Sequence, residues 1–228
     1  MLIFAIDTAL EACSAAVLDA GSGAILAQES LTMSRGHAEA LMPMIKRVLD
    51  AARLDFAEID RIAVTTGPGS FTGLRVGIAA ARGLALAAGK PAVGLSTLPA
   101  FAAPFVAADD SVPVAAAIDA RHAHVYLQVV GPHGRTLFAP RLTPLREALR
   151  VASASGAPRL VGNAAAMLAS QWPLSERPPS VVEQKSAPDI GWVARLGAAA
   201  PETGAPPKPL YLRAPDAQPQ DAAQLARR

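Results

Sequence analysis

The sequence predicts an α/β protein built as two successive halves. Apolar runs of strand length cluster at 2–32 and again at 113–139. Each cluster is followed by a segment of helical period, a further short apolar run and another helix. The order of three strands, a helix, a strand and a helix therefore occurs twice. The chain's 228 residues allow one large domain or two small ones. Of these, 51% are hydrophobic and many are alanine, so the expected core is sizeable and rich in small residues.

The elements follow in order. Residues 2–7, 13–19 and 24–32 are strands joined by short links, which makes an antiparallel meander. Residues 37–53 have helical period, with Leu41, Ile45, Val48, Leu49 and Ala52 on one face. Met42 and Met44 fall off that stripe, so this helix is either sandwiched in a core or presents a partner surface. Strand 61–66 leads through a glycine-rich turn into a helix that ends at Ala88, before Gly89. A short strand at 92–95 precedes a helix from Ser96 to about Val106. Asp109-Asp110-Ser111 is a polar break. Strands at 113–118, 123–130 and 135–139 follow, the last two joined by the turn Gly131-Pro132-His133-Gly134. Thr143 and Pro144 open a helix as cap and first residue. Strand 159–161, a turn at Gly162 and helix 164–170 come next, then an irregular loop over 172–185. Ser186-Ala187-Pro188-Asp189 reads as a capping-box-like start for a helix over 188–200. The expected lobes are 1–108 and 109–185. A proline- and alanine-rich tail spans 201–228 and is expected to be disordered after Arg213.

Bulk properties narrow the function classes. The net charge is +2 and no basic run stands out, so there is no strong nucleic-acid footprint. Cys13 is the single cysteine, which excludes an internal disulfide and a cysteine-based zinc cluster. The apolar start Met1 to Ile6 lacks a basic n-region and is followed by Asp7, so it reads as a strand rather than a signal peptide. The apolar run Val76 to Leu98 is broken by Arg82, Lys90 and Pro91 and is too interrupted to span a membrane. A soluble cytoplasmic protein is the default expectation.

The most distinctive stretch is Gly67-Pro68-Gly69-Ser70-Phe71-Thr72-Gly73-Leu74-Arg75. Ser70 or Thr72 can cap the helix that follows. Gly73, Gly77 and Ala81 share one helix face, which lets another backbone approach closely, from this chain or from a partner. The spacing fits neither Gly-x4-Gly-Lys-Ser/Thr nor Gly-x-Gly-x-x-Gly, so a packing turn is favoured over a nucleotide cradle.

This stretch resembles the GPGSFTGLR signature of the TsaB (YeaZ) family. Three further places carry the resemblance. They are Leu2 to Ala9 as the opening strand, Arg35-Gly36-His37-Ala38-Glu39-Ala40-Leu41-Met42-Pro43 as a helix start, and Pro209-Leu210-Tyr211-Leu212-Arg213 as the closing motif. The resemblance implies a two-lobed actin-like ATPase (sugar-kinase/Hsp70/actin) fold with duplicated mixed sheets and flanking helices. It also implies that helix 186–200 packs back on the first lobe.

In active members of that fold, an Asp-x-Gly-Thr turn approaches nucleotide phosphate and metal. Here Asp7 and Thr8 remain but the glycine is missing, and the second phosphate loop is reduced to Gly162. The catalytic paralogue, TsaD, carries a His-x-x-x-His metal pair, and Thr97 and Phe101 stand at the matching places. His122 and His124 are expected to share a strand face as a surface pair, with His124 replacing the family's Glu. Asp119 and Arg121 read as a structural pair at the junction between lobes, and His37 as a packing or capping residue. No Gly-x-Ser-x-Gly nucleophile motif and no His-Glu-x-x-His motif is present.

What the resemblance implies is a non-catalytic subunit in the synthesis of N6-threonylcarbamoyladenosine beside the tRNA anticodon. Such a subunit forms a heterodimer with a TsaD-like paralogue that a TsaE-like ATPase joins, and a homodimer when alone. ATP and metal are expected on the partner, with no cofactor on this chain alone. The expected interface comprises His37, Leu41, Met44 and Ile45 on one helix. On the other it comprises Gly69, Ser70, Phe71, Thr72, Gly73, Arg75, Gly77 and Ala81. The alternatives are a stand-alone small-molecule kinase or ATPase of the same fold and, last, a glycoprotease-type peptidase.

Overall fold

A computed structural model describes residues 1–202 and 204–213. The tail beyond Arg213, expected to be disordered, lies outside the described residues.

Two five-stranded mixed sheets have the same internal order. The first contains β1 (Leu2–Asp7), β2 (Ala12–Asp19), β3 (Ala24–Thr32), β4 (Arg61–Gly67) and β5 (Ala92–Ser96), arranged β3-β2-β1-β4-β5. The second contains β6 (Val114–Asp119), β7 (His124–Val130), β8 (Thr136–Pro144), β9 (Arg159–Gly162) and β10 (Val181–Gln184), arranged β10-β9-β6-β7-β8. In each sheet the first three strands are an antiparallel meander and the fourth and fifth run parallel to the first. The helices α1 (His37–Ala52), α2 (Phe71–Ala88) and α3 (Thr97–Ala108) belong to the first half. Helices α4 (Leu145–Ser153), α5 (Ala165–Ser170) and α6 (Ile190–Ala199) belong to the second. This duplicated arrangement is the two-lobed actin-like fold.

The alternation along the central strands sorts the packing. Phe4 and Ile6 of β1 join the core under α1 and α2, while Ile3 and Ala5 face Val193 and Ala194 of α6. In the second sheet, Ala115 and Ala117 of β6 pack under α4 and α5, while α3 packs against β6 with Leu98 and Phe101. Each sheet is thus covered on its second face by the last helix of the other half.

Two arginines fasten these exchanged helices. Arg61 opens β4 and donates to the carbonyls of Gly197, Ala198 and Ala200 at the end of α6. Arg159 opens β9 and donates to the carbonyls of Phe105 and Asp109 at the end of α3. The last turn of a helix leaves carbonyls unpaired, and a guanidinium satisfies several at once.

Several boundaries differ from the sequence expectation. β10 lies inside 172–185, the segment expected to be irregular; it pairs only with β9 at the sheet edge. Thr143 and Pro144 belong to β8, because pairing with β7 holds them extended, and α4 begins at Leu145. Thr143 does not cap, since its hydroxyl donates back to the Arg141 carbonyl. α6 begins after Asp189, whose carboxylate accepts the Trp192 N–H at 3.1 Å. Of the described helices, α2 alone is long and apolar enough to cross a membrane. Its inner side, including Leu74, Ile78 and Ala81, is buried in the first-lobe core.

Candidate functional site

The signature turn places α2 directly on the turn after β1. A Cβ added at Gly69 would collide with the Ala9 carbonyl, one at Gly73 with the Thr8 carbonyl, and one at Gly77 with the Thr8 hydroxyl. Hydrogen bonds lock the contact: Ser70 N–H donates to Ala9 O at 2.7 Å and Thr8 Oγ1 donates to Gly73 O at 2.7 Å. Ser70, not Thr72, caps the helix by accepting the Gly73 N–H at 3.3 Å. The small-residue stripe is therefore consumed within the chain.

Of the residues expected at an interface, Gly73, Gly77 and Ala81 are buried, and Gly69, Gly73 and Gly77 lie against Thr8 and Ala9 of their own lobe. Leu41, Met44 and Ile45 are buried under α1 in the same core, and the exposed methionine of that helix is Met42. His37 Nε2 lies 3.0 Å from the Leu10 carbonyl and donates to it, fixing the entry to α1. Phe71, Thr72 and Arg75 are exposed.

The outward stripe of α2 is Phe71, Arg75, Ala79, Gly83 and Leu86, spaced at one helical turn. A Cβ at Gly83 would meet nothing within 4 Å. The closing motif joins this stripe. Leu210 N–H donates to Thr66 O at 2.8 Å, and Tyr211 stacks on Phe71 with ring centres 5.6 Å apart. The Arg75 guanidinium lies 3.7 Å from the centre of the Phe71 ring and donates to the Tyr211 hydroxyl at 3.2 Å. The expected interface left out Tyr211. The Pro-x-Tyr-Leu-Arg match was the available signal.

A polar cleft of about 970 Å³ separates the lobes, with His37, Ser70, Phe71, Asp119, Arg121 and Arg213 on its walls. Asp7 lies beneath it, fully buried. One Asp7 oxygen accepts from the Thr65 hydroxyl and from the Ala9 N–H. The other has no partner among the described residues. Burial pushes the carboxyl up to about 6, against the lowering effect of those two donors. The Thr8 hydroxyl is engaged by Gly73, the Ala9 N–H by Asp7 and the Ala9 carbonyl by Ser70, so these three groups are not open to the cleft. Gly162 ends β9 at φ +106, against the Ala117 carbonyl. A Cβ there would collide with that carbonyl, so the close approach to β6 requires glycine.

On the opposite wall, Asp119 accepts the Arg121 N–H at 2.7 Å, a bond within its own turn. Arg121, His122 and Ala123 all have left-handed backbone, with φ of 62°, 50° and 55°. His122 therefore sits in this turn and only His124 is on the strand; its Nδ1 donates to the His122 carbonyl at 2.7 Å. The expected shared strand face of the two histidines is not formed. Thr97 and Phe101 are buried in α3. Among the described residues no three His, Cys, Asp or Glu groups come together in a way that could hold a metal ion.

Comparison with known proteins adds the family. A family profile described as "TsaD: tRNA N6-adenosine threonylcarbamoyltransferase" matches residues 25–149. The tRNA threonylcarbamoyladenosine biosynthesis protein TsaB of Escherichia coli is 42% identical over 126 residues, 55% of this chain and 53% of that protein. The solved structure described as YeaZ from Pseudomonas aeruginosa is 30% identical with a TM-score of 0.75, covering 92% of this chain and 99% of that one. This chain belongs to the TsaB (YeaZ) family. It spans about half the length of the curated TsaB relatives it matches. An uncharacterized protein of Mycobacterium tuberculosis is 34% identical over 95% of this chain and 94% of its own length. The TsaD profile match fits a paralogue of that transferase.

Proposed function

We propose that the chain is a non-catalytic subunit that dimerises with a TsaD-like transferase and supports its modification of the adenosine beside the tRNA anticodon. The observation that carries this reading is the turn at Thr8 and Ala9, where the Thr8 hydroxyl and the Ala9 N–H and carbonyl are tied to Gly73, Asp7 and Ser70. A site that must bind phosphate needs those groups free. With Thr97 and Phe101 where a metal pair would stand, ATP and metal belong on the partner, and no cofactor on this chain alone. The outer stripe of α2, ending in the Phe71–Arg75–Tyr211 cluster, supplies the anchor types that dominate stable interfaces. Burial of about 800 Å² on each side is the usual size. The same stripe serves a homodimer when the chain is alone, and a TsaE-like ATPase joins the heterodimer, in the cytoplasm.

The test is reconstitution. The partner transferase, the ATPase, the threonylcarbamoyl-AMP synthase, tRNA, threonine, bicarbonate and ATP are combined with and without this chain, and the modified nucleoside is read by mass spectrometry. Product that requires the chain is the expected result; equal product without it overturns the reading. Gly83→Arg has room in the free chain, so it is expected to fold normally and to lower product at least tenfold.

A further inference from the structure

The two lobes differ in charge. Residues 1–108 carry eight basic and nine acidic residues, whereas 109–185 carry eight basic and six acidic. Seven of the second lobe's eight cations are arginine. Arg159 is committed to Asp109 and Lys185 to Glu183. Arg121, Arg141, Arg146 and Arg150 are exposed, and none has a carboxylate partner within 4 Å among the described residues.

The fold gathers these four along one side of the second lobe. The Leu145 N–H donates to the Ala123 carbonyl at 2.8 Å, which seats the first turn of α4 against the left-handed turn that holds Arg121 and His122. Arg146 and Arg150 follow one helical turn apart, on a helix whose buried side is Leu145, Ala148, Leu149 and Ala152. Arg141 is paired with Leu127, so it points to the face of the sheet that α4 covers, and its guanidinium lies 3.9 Å over the Phe138 ring. Half-buried Glu147 is the acidic residue on α4. The strip begins at the mouth of the interlobe cleft, where Arg121 is a wall residue.

We infer that this strip is an RNA-backbone contact surface. The cations are arginines, whose planar fork matches phosphate oxygens with two parallel hydrogen bonds. They are solvated and spread along an edge rather than clustered around an apolar centre, as a protein interface would require. A left-handed run of three residues other than glycine costs energy that the turn must recover elsewhere, and it holds Arg121 outward. The inference rests on the proposed tRNA-modification role only for the identity of the RNA.

The test uses the isolated full-length chain and an unmodified tRNA transcript, with binding read by fluorescence anisotropy against salt. Four phosphate contacts predict a logarithmic salt slope of about −3 to −4, and thus a loss on the order of 100-fold between 50 and 200 mM salt. The double variant Arg146→Glu, Arg150→Glu is expected to lower affinity at least tenfold and the slope by about 2. Lys46→Glu, on the first lobe, is expected to bind as the parent does. Unaltered melting temperatures exclude misfolding. A parent chain with no salt-dependent RNA binding overturns the inference, as does a double variant that binds RNA normally. A double variant that binds RNA normally but releases the partner transferase overturns it in favour of an acidic protein surface. Because RNA affinity is read without turnover, failure here is distinct from failure of the reconstitution.

Discussion

The first strands of the two sheets end alike, Ala5-Ile6-Asp7 and Ala117-Ile118-Asp119, yet the turns that follow have opposite fates. In the first lobe, Asp7 is fully buried and Thr8 and Ala9 are pressed against α2 by three glycines. In the second, Asp119 is exposed and the next turn is left-handed, solvated and basic. The fourth strands remain matched, each beginning with an arginine that caps an exchanged helix. Duplication therefore preserves what holds the sheets and their covering helices together. The two cleft-facing turns are free to diverge, one closed by packing and one left open.

The sharpest way to break this contrast is to fill the closed turn. Gly73→Val places a branched side chain on the Thr8 carbonyl, where no flexible group can give way. Overpacking combined with loss of the Thr8 and Ser70 hydrogen bonds is expected to cost about 3–5 kcal/mol. For a chain of this size that is a fall of roughly 10 °C or more in melting temperature. Gly83→Val, on the open side of the same helix, is expected to change the melting temperature by no more than about 2 °C. Equal effects at the two positions would show that α2 does not dock as described.

That pair also measures what was legible in the sequence. Small residues recur at four-residue spacing on two faces of α2, as Gly73-Gly77-Ala81 and as Ala79-Gly83. Periodicity identifies both stripes but not which is inward; the position of the Thr8 turn decides that. Most strands and helices were legible because their apolar periods are long. β10 was hidden because four residues flanked by Pro178, Pro179 and Ser180 show too little alternation to distinguish a strand from a loop. The left-handed turn was hidden because Arg121-His122-Ala123 contains no glycine or asparagine to signal it. The basic strip was hidden because its members are scattered from 121 to 150 and only strand register and a helix cap bring them together.

Burial of Asp7 gives the next effect, and it depends on pH. The folded carboxyl titrates near 6 against an ordinary value of 3.8, so the folded state holds the proton more tightly than the unfolded chain. Stability is then highest with respect to this group below about pH 4, falls as pH rises to about 6, and is constant above. Two pH units correspond to at most about 3 kcal/mol. Asp7→Asn keeps an oxygen for Thr65 and Ala9 but leaves its amide unpaired where the second carboxylate oxygen stood. A net gain of about 1–2 kcal/mol at pH 7 is expected, with the gain lost by pH 4. Urea unfolding at the two pH values reads this directly. Asp119→Asn, which preserves the acceptor for Arg121, is expected to stay within about 0.5 kcal/mol.

The smallest effect tests the open turn. Ala123 has φ +55, a region that costs an L residue about 1–2 kcal/mol and glycine almost nothing. Ala123→Gly removes that strain but also loosens the unfolded chain, so a net gain of about 0.5–1 kcal/mol is expected, or roughly 2–3 °C in melting temperature. The Ala123 carbonyl still accepts from Leu145, so α4 keeps its seat. Ala9→Gly, in the closed turn, lacks any positive φ to relieve and is expected to destabilise by about 0.5–1 kcal/mol through chain entropy alone. Opposite signs at these two alanines would make backbone strain a property of the second lobe's turn. Destabilisation at both would mean that the left-handed turn is held at no cost, and Arg121 would then owe its outward position to its neighbours alone.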